Sequence, residues 1–145
     1  SLQAALHKAK FVSDWHSSTL AQAALARFID EGAFARHVRR TSAIYRNRHH
    51  IIAGAISRDF AEHLELVPST SGLHLTALAR NMSADQVVDI PRRAADRGVA
   101  VQVLSQFAVG ASLRAGIMLG YGAIPTDRIE EGLHVLRVCF DAEPR

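Results

Sequence analysis

Residues 33–63, AFARHVRRTSAIYRNRHHIIAGAISRDFAEH, decide how this chain is read. Apolar side chains recur at Phe34, Val38, Tyr45, Ile52, Ile56 and Phe60, with Thr41 in step with them. Spacings of three, four and seven put them on one face of an α-helix. No proline interrupts the run, and Gly54 costs only about 1 kcal/mol relative to alanine. At about 1.5 Å per residue the run makes roughly 46 Å of helix. A globule of this chain's length has a radius of gyration of roughly 15 Å and a diameter of about 40 Å. The helix therefore overruns the body that should bury it, and one of its ends is expected to reach another domain or subunit. A break between Asn47 and Gly54 would remove that expectation.

Before this helix, Leu2 to Val12 reads as a short amphipathic helix, with Leu2, Leu6 and Ala9 to one side. Residues 13–18 form a break rich in capping side chains, and Ser17 or Ser18 is placed to cap a helix from Thr19 to Glu31. Gly32 stops that helix as a left-handed cap residue would.

After the long helix the period changes to two. Leu64 and Leu66 form a strand ending at Pro68, and Ser69–Gly72 supplies a turn. Leu73, Leu75 and Ala77 alternate with His74, Thr76 and Leu78 as a half-buried strand. Ser83 and Gln86 have the spacing of a capping box, opening a helix toward Arg97 that Pro91 should kink or split near Ile90. Gly98 ends it, and Val99, Val101 and Val103 alternate as another strand. Ile117–Tyr121 is the last strand. Thr126 or Asp127 caps a final helix whose inner face carries Ile129, Leu133, Leu136 and Phe140. The order predicts an α+β fold, a small sheet of three to four strands covered by helices.

Composition narrows the function classes. The 145 residues are 48% hydrophobic and 21% charged, which excludes a disordered tail and is enough for a packed core. The single cysteine, Cys139, excludes a disulfide scaffold and a cysteine-based metal site, and in an apolar helix it reads as a packed thiol. Lys8 and Lys10 are the only lysines, so any lysine chemistry has two candidates. The chain begins at Ser1 rather than Met, which suggests a processed form or a fragment. The uncharged stretch Gly98–Leu113 is too short and polar to span a bilayer, and no signal peptide is visible, so a soluble cytoplasmic protein is expected.

The formal charge of +3 is concentrated in Arg36, His37, Arg39, Arg40, Arg46, Arg48, His49 and His50. On a helix wheel Arg36, Arg39, Arg40, Arg46 and Arg58 surround the polar side opposite Phe34, Val38, Tyr45 and Ile52. That is foremost a solvated face, although it also permits phosphate binding. No helix-turn-helix pattern or stacking aromatics accompany it. Gly120-Tyr121-Gly122 sits between strand and helix like a dinucleotide loop, but Pro125 occupies the third glycine position, so a plain strand-to-helix turn is the better reading. Ser112 lacks the second glycine of a nucleophile elbow, which is Arg114 here. His49 and His50 are adjacent and diverge by about 100° on a helix, so they do not share a metal ion easily. Asp59 and His63 are spaced for an ion pair.

Several segments together resemble a known family. They are Gln22-Ala23-Ala24-Leu25-Ala26 with Phe28-Ile29 and Glu31-Gly32, then His37-Val38-Arg39-Arg40, then Tyr45-Arg46 with Arg48. Further along come Ser71-Gly72-Leu73-His74-Leu75, Gly98-Val99-Ala100-Val101 and Met118-Leu119-Gly120-Tyr121. From about Leu2 to Phe140 the series is similar to the C-terminal part of the aminotransferase-like domain of MocR-type regulators in the GntR superfamily. Those bacterial transcription factors join an N-terminal winged helix-turn-helix to a fold-type I, pyridoxal-phosphate-binding domain.

The resemblance implies a small domain plus a long interdomain helix. Residues 1–32 would lead from a large domain, 33–63 would form the interdomain helix, and 64–145 the small α+β domain. It implies pyridoxal phosphate in the intact protein, with none expected on this chain alone. The cofactor lysine would lie upstream, and Lys8 and Lys10 match no such position. It also implies a homodimer, an amino-acid-like effector, and DNA contacts through a winged-helix domain upstream. Where such proteins can place an arginine before an aromatic residue to clamp a carboxylate, Gln106 precedes Phe107. A glutamine donates to a carboxylate but cannot neutralise it. Either the effector is not a simple amino acid or Arg114 substitutes, and His74 is a further candidate to face the same cleft. A fragment of a catalytic class I aminotransferase and a small basic nucleic-acid-binding module are the alternative readings.

Overall fold

The computed structural model describes residues 2–14, 18–107 and 114–142. Two compact units divide the chain, residues 1–42 and residues 43–145.

The first unit holds α1 (Leu2–Asp14), α2 (Thr19–Asp30) and the opening turns of α3 (Ala33–Asp59). Ser18 caps α2, its side chain accepting from the Ala21 amide at 3.3 Å. The alternative cap, Ser17, lies outside the described residues, as do Trp15 and His16 of the break. Gly32 takes a left-handed φ of +69°, open to glycine at little cost, and so turns the chain from α2 into α3. The Phe28 and Phe34 rings meet edge to face across that turn, 6.0 Å apart. Leu20, Leu25 and Ile29, spaced for one apolar face, are exposed, as are Phe34 and Val38.

α3 runs unbroken for 27 residues, through Asn47–Gly54. It ends at Asp59 rather than His63. Phe60 and the turn after it leave the helix because Leu64 must enter the sheet: the Arg80 amide donates to the His63 carbonyl at 2.7 Å. In the second unit α3 buries Ile52, Ala55 and Ile56, each a helical turn or one residue from the next.

The sheet contains β1 (Leu64–Leu66), β2 (His74–Ala79), β3 (Gln102–Val103) and β4 (Gly116–Gly120), in spatial order β1-β2-β4-β3 with every pair antiparallel. The last strand thus begins one residue earlier than its sequence pattern suggests and stops before Tyr121. The Val99–Val103 pattern yields only two strand residues. Val101 is buried all the same, so the apolar alternation there marks burial beside the ladder rather than pairing within it.

Ser83 and Gln86 do form a capping box: the Gln86 amide donates to Ser83 Oγ at 3.3 Å, and the Ser83 amide donates to Gln86 Oε1 at 2.7 Å. The helix they open is split, as Pro91 requires, into α4 (Ala84–Val88) and α5 (Ile90–Ala95), with the break at Asp89. Gly98, at φ +80°, closes α5. The final helix, α6 (Ile129–Asp141), is not capped by Thr126 or Asp127. Those residues fold into a 3-10 turn, Thr126–Arg128, and α6 starts without a side-chain cap. Thr126 Oγ1 accepts instead from Arg48.

The core lies between the sheet and α3, α4, α5 and α6. Leu75, Ala77, Ile117 and Val103 face Ile56, Phe60, Val87, Ile90, Leu136 and Phe140. Phe60 and Phe140 pack edge to face at 5.9 Å. Cys139 is buried in α6.

Candidate functional site

The register of the sheet fixes where the candidate residues sit. Ala77, Ile117 and Val103 pair in one row across β2, β4 and β3, and all three are buried. The neighbouring row, Thr76, Met118 and Gln102, points to the opposite face. Thr76 and Met118 are half-buried and Gln102 is exposed. His74 and Gly120 pair on that same face. The imidazole of His74 lies against Gly120, where a Cβ would come within 3.4 Å of its Cδ2. One sheet face is therefore packed against helices and the other is the more open and polar. The sequence alternation identified the buried face. It did not single out Thr76, Met118 and Gln102, because only the cross-strand register aligns them.

Gln106 lies exposed on the 3-10 turn Leu104–Phe107 that follows β3. Arg114 lies exposed just ahead of β4. With Ser105, Val103 and Val87, Arg114 lines a narrow crevice at the start of β4. β3 runs antiparallel to β4, so the chain beyond Val103 also leaves toward that end. Gln106 and Arg114 thus share one end of the sheet. His74 pairs with Gly120 and Leu78 with Gly116, which puts His74 at the other end, roughly 13 Å of strand away. The structure groups two of the three candidates and separates the third. Ser112 and residues 108–113, between Gln106 and Arg114, lie outside the described residues.

The Gly120-Tyr121-Gly122 turn is built as an anchor. Phosphate loops present converging N–H groups. Here the carbonyl oxygens of Tyr121 and Gly122 accept from Arg48 Nη1 at 3.1 and 2.8 Å, and the Tyr121 amide donates to the Leu73 carbonyl at 2.9 Å. Arg48 is half-buried, and its guanidinium carbon stands 5.7 Å from the centre of the Tyr45 ring. It therefore does not belong to the solvated basic face into which its sequence neighbours placed it; Arg36, Arg39, Arg40, Arg46 and Arg58 are exposed.

Asp59 and His63 do not pair, because α3 stops between them. Asp59 binds Arg58 through two bonds of 2.8 and 2.7 Å. That hydrogen bonding holds its carboxyl below the usual range. His63 Nε2 meets Asp141 Oδ1 at 2.9 Å instead. The Asp141 carboxyl is likewise lowered, first by His63, against desolvation that opposes the shift, and then by Arg137. A groove of about 780 Å³ runs between α3 and α6, lined by Ile51, Ala55, Leu133 and Val138 and rimmed by Arg58, Glu130 and Arg137. It contains none of the three candidates.

Pyridoxal phosphate needs an amine for its aldehyde and a cradle for its phosphate. Lys8 and Lys10 lie exposed on α1, and the glycine turn offers carbonyls to a cation. Among the described residues no three His, Cys, Asp or Glu side chains converge as metal ligands, and no helix is long and apolar enough to cross a membrane.

Comparison with known proteins gives the class first. The fold is that of a part of aminotransferases. An α-aminoadipate aminotransferase of Thermus thermophilus, complexed with N-(5'-phosphopyridoxyl)-L-leucine, matches 91% of this chain with a TM-score of 0.75 at 22% identity, the match covering 33% of that enzyme. The kynurenine aminotransferase of Pyrococcus horikoshii matches 90% with a TM-score of 0.77 at 19% identity, covering 32%. In sequence, the homologues are MocR-type and other helix-turn-helix transcriptional regulators. The probable rhizopine catabolism regulatory protein MocR of Rhizobium meliloti is 34% identical over 125 residues, 86% of this chain and 25% of that protein. The regulator YhdI of Bacillus subtilis is 28% identical over 123 residues, 85% of this chain and 26% of that protein. The chain spans about a quarter of the length of these regulators. No family model matches it.

Proposed function

We propose that this chain is the small-domain portion of a pyridoxal-phosphate-binding, aminotransferase-like transcriptional regulator, and that it helps close the cleft in which cofactor and effector bind. The observation that carries this reading is the 34% identity to a MocR regulator across 86% of the chain, on a fold shared with aminotransferases. In this reading residues 1–32 lead from a large domain, 33–63 form the interdomain helix and 64–145 the small domain. The large domain supplies the lysine and phosphate contacts, a second subunit completes a dimer, and an upstream winged-helix domain holds DNA. The open sheet face and the end bearing Gln106 and Arg114 look into the cleft. Arg114 offers a guanidinium to an effector carboxylate, and Gln106 adds a neutral donor beside it. His74, on the same open face at the other end of the sheet, is the third residue of this reading. Effector binding then shifts the domain arrangement to the extent that it contacts one arrangement better than the other.

The test uses the full-length protein. Arg114→Gln should weaken binding of an amino-acid effector about tenfold or more, and Gln106→Arg should strengthen it. Unchanged affinity in both variants would remove these residues from the cleft. Absence of visible aldimine absorption in the full-length protein incubated with pyridoxal phosphate would remove the cofactor reading itself.

A further inference from the structure

Exposed arginines in this chain fall into two groups. Among the described residues Arg27, Arg58, Arg80, Arg92, Arg128 and Arg137 each pair with a carboxylate, at 2.6 to 3.4 Å. The opening turns of α3 differ. Arg39 and Arg40 are exposed and make no hydrogen bond or ion pair among the described residues. Arg36, also exposed, makes one bond, to the Glu31 carbonyl at 3.4 Å. α3 carries no acid before Asp59. A helix face that is only solvated interleaves both signs, as Arg27 with Glu31 and Arg137 with Asp141 do one turn apart. The start of α3 instead presents cations with nothing to answer them.

Helix geometry says what such a face fits. At about 100° per residue, Arg39 and Arg40 stand about 60° and about 40° to either side of Arg36, and all three lie within about 6 Å along the axis. Phe34 and Val38 fall on the far side of the helix. No large apolar side chain lies among the three arginines, whereas a protein partner needs an apolar or aromatic anchor at the centre of its interface. A lipid surface likewise takes up an apolar face, with the cations only flanking it. Phosphate groups repeated at close spacing need neither. Each guanidinium edge matches two oxygens of one phosphate, and duplex DNA sets out one charge per about 1.7 Å of its axis.

We propose that Arg36, Arg39 and Arg40 form a contact surface for the phosphate backbone of double-stranded DNA, a second hold beside the upstream winged helix of the regulator reading on which it rests. The probe is a mixed-sequence duplex, titrated with full-length protein over a range of salt concentrations. Arg36→Gln, Arg39→Gln and Arg40→Gln together should weaken binding about tenfold or more at about 0.1 M salt. The slope of log affinity against log salt should become shallower by about 2.7, at about 0.9 per phosphate released. Lysine at all three positions keeps the charge and should restore most of the slope. Arg92→Gln, which removes an arginine paired with Asp89, should leave the slope as it was. An unchanged slope in the triple glutamine variant, an equal loss in Arg92→Gln, or phosphatidylserine vesicles bound as tightly as the duplex would each overturn the proposal. If the triple variant fails to fold, Arg39→Gln alone decides: a slope shallower by about 0.9 supports the surface, and an unchanged one overturns it. Unaltered full-length protein that binds no duplex at low salt would remove the regulator reading and this surface with it. Binding whose slope ignores the three arginines removes the surface alone.

Discussion

Arg48 Nη1 lies 2.8 Å from the carbonyl oxygen of Gly122, seventy-four positions further along the chain. The same nitrogen reaches the Tyr121 carbonyl, and Nε reaches Thr126 Oγ1 at 3.3 Å. One side chain of α3 thereby holds the whole passage from β4 to α6. The cation satisfies two carbonyls that the end of the strand leaves without ladder partners.

Arg48→Ala should therefore cost about 2–4 kcal/mol in urea unfolding, since charge-assisted bonds contribute about 1.5–3 kcal/mol each and do not add fully. Arg48→Lys should recover less than half, because an ammonium cannot copy the fork. Arg46→Ala, on the exposed side of the same helix, should stay within about 0.5 kcal/mol. Equal effects at 46 and 48 would end the anchoring argument.

Ser83 and Gln86 answer each other's neighbouring amides at the start of α4. Ser83→Ala should lower stability by about 1 kcal/mol. Adding Gln86→Ala should cost less in that background than alone, because the box is reciprocal. A double-mutant cycle measures the difference, and strict additivity would count against a working box.

Local signals of this kind were legible in the sequence. The capping box, the split at Pro91, the left-handed glycines and the long run of α3 each depend on neighbours within about four residues. What was not legible depends on distance. Arg48 looked like one more member of a basic face because its partners are on the far side of the sheet in sequence. Thr126 looked like a cap until Arg48 claimed its hydroxyl. The end of α3 at Asp59 follows from the bond between Arg80 and His63, which no period in the helix reports. The candidate site divides in the same way. Strand alternation places His74 and Thr76 on one face, but only the pairing of His74 with Gly120 and of Leu78 with Gly116 puts His74 at the opposite end from Arg114.

His63 and Asp141 join the start of the sheet to the end of α6. The Asp141 carboxyl is lowered in the folded chain, chiefly by the His63 hydrogen bond, so the folded state favours its ionised form. The contribution is fully present above the unfolded value, about 3.9, and is lost as pH falls through the lower folded value. Unfolding free energy measured from about pH 6 down to about pH 2 should fall along this limb. Asp141→Asn should be less stable at the upper end and should show a shallower fall. Asp59, lowered by Arg58, supplies part of the slope that remains. An unchanged acid limb in Asp141→Asn would remove the pair as its source.

Two glycines should respond to the same substitution with opposite signs. Gly54 lies within α3, and a Cβ there meets nothing within 4 Å. Gly54→Ala should stabilise the chain by about 0.5–1 kcal/mol, because alanine has less freedom to lose on entering a helix. Gly116 is buried at the first position of β4, where a Cβ would come within 2.5 Å of the Ala77 carbonyl oxygen and 2.8 Å of Leu104 Cδ1. The first contact is with backbone of the central ladder, which cannot withdraw without breaking the β2–β4 pairing. Gly116→Ala should destabilise by about 1–3 kcal/mol or more. It should also disturb the crevice shared by Arg114 and Ser105, since both sit within two strand positions of the shifted ladder or against it. Thermal melts of the two variants give the signs. Amide exchange would then show protection lost at β4 in Gly116→Ala, whereas a melt unchanged from the parent would mean that the close approach of β2 to Gly116 is not a constraint on the fold.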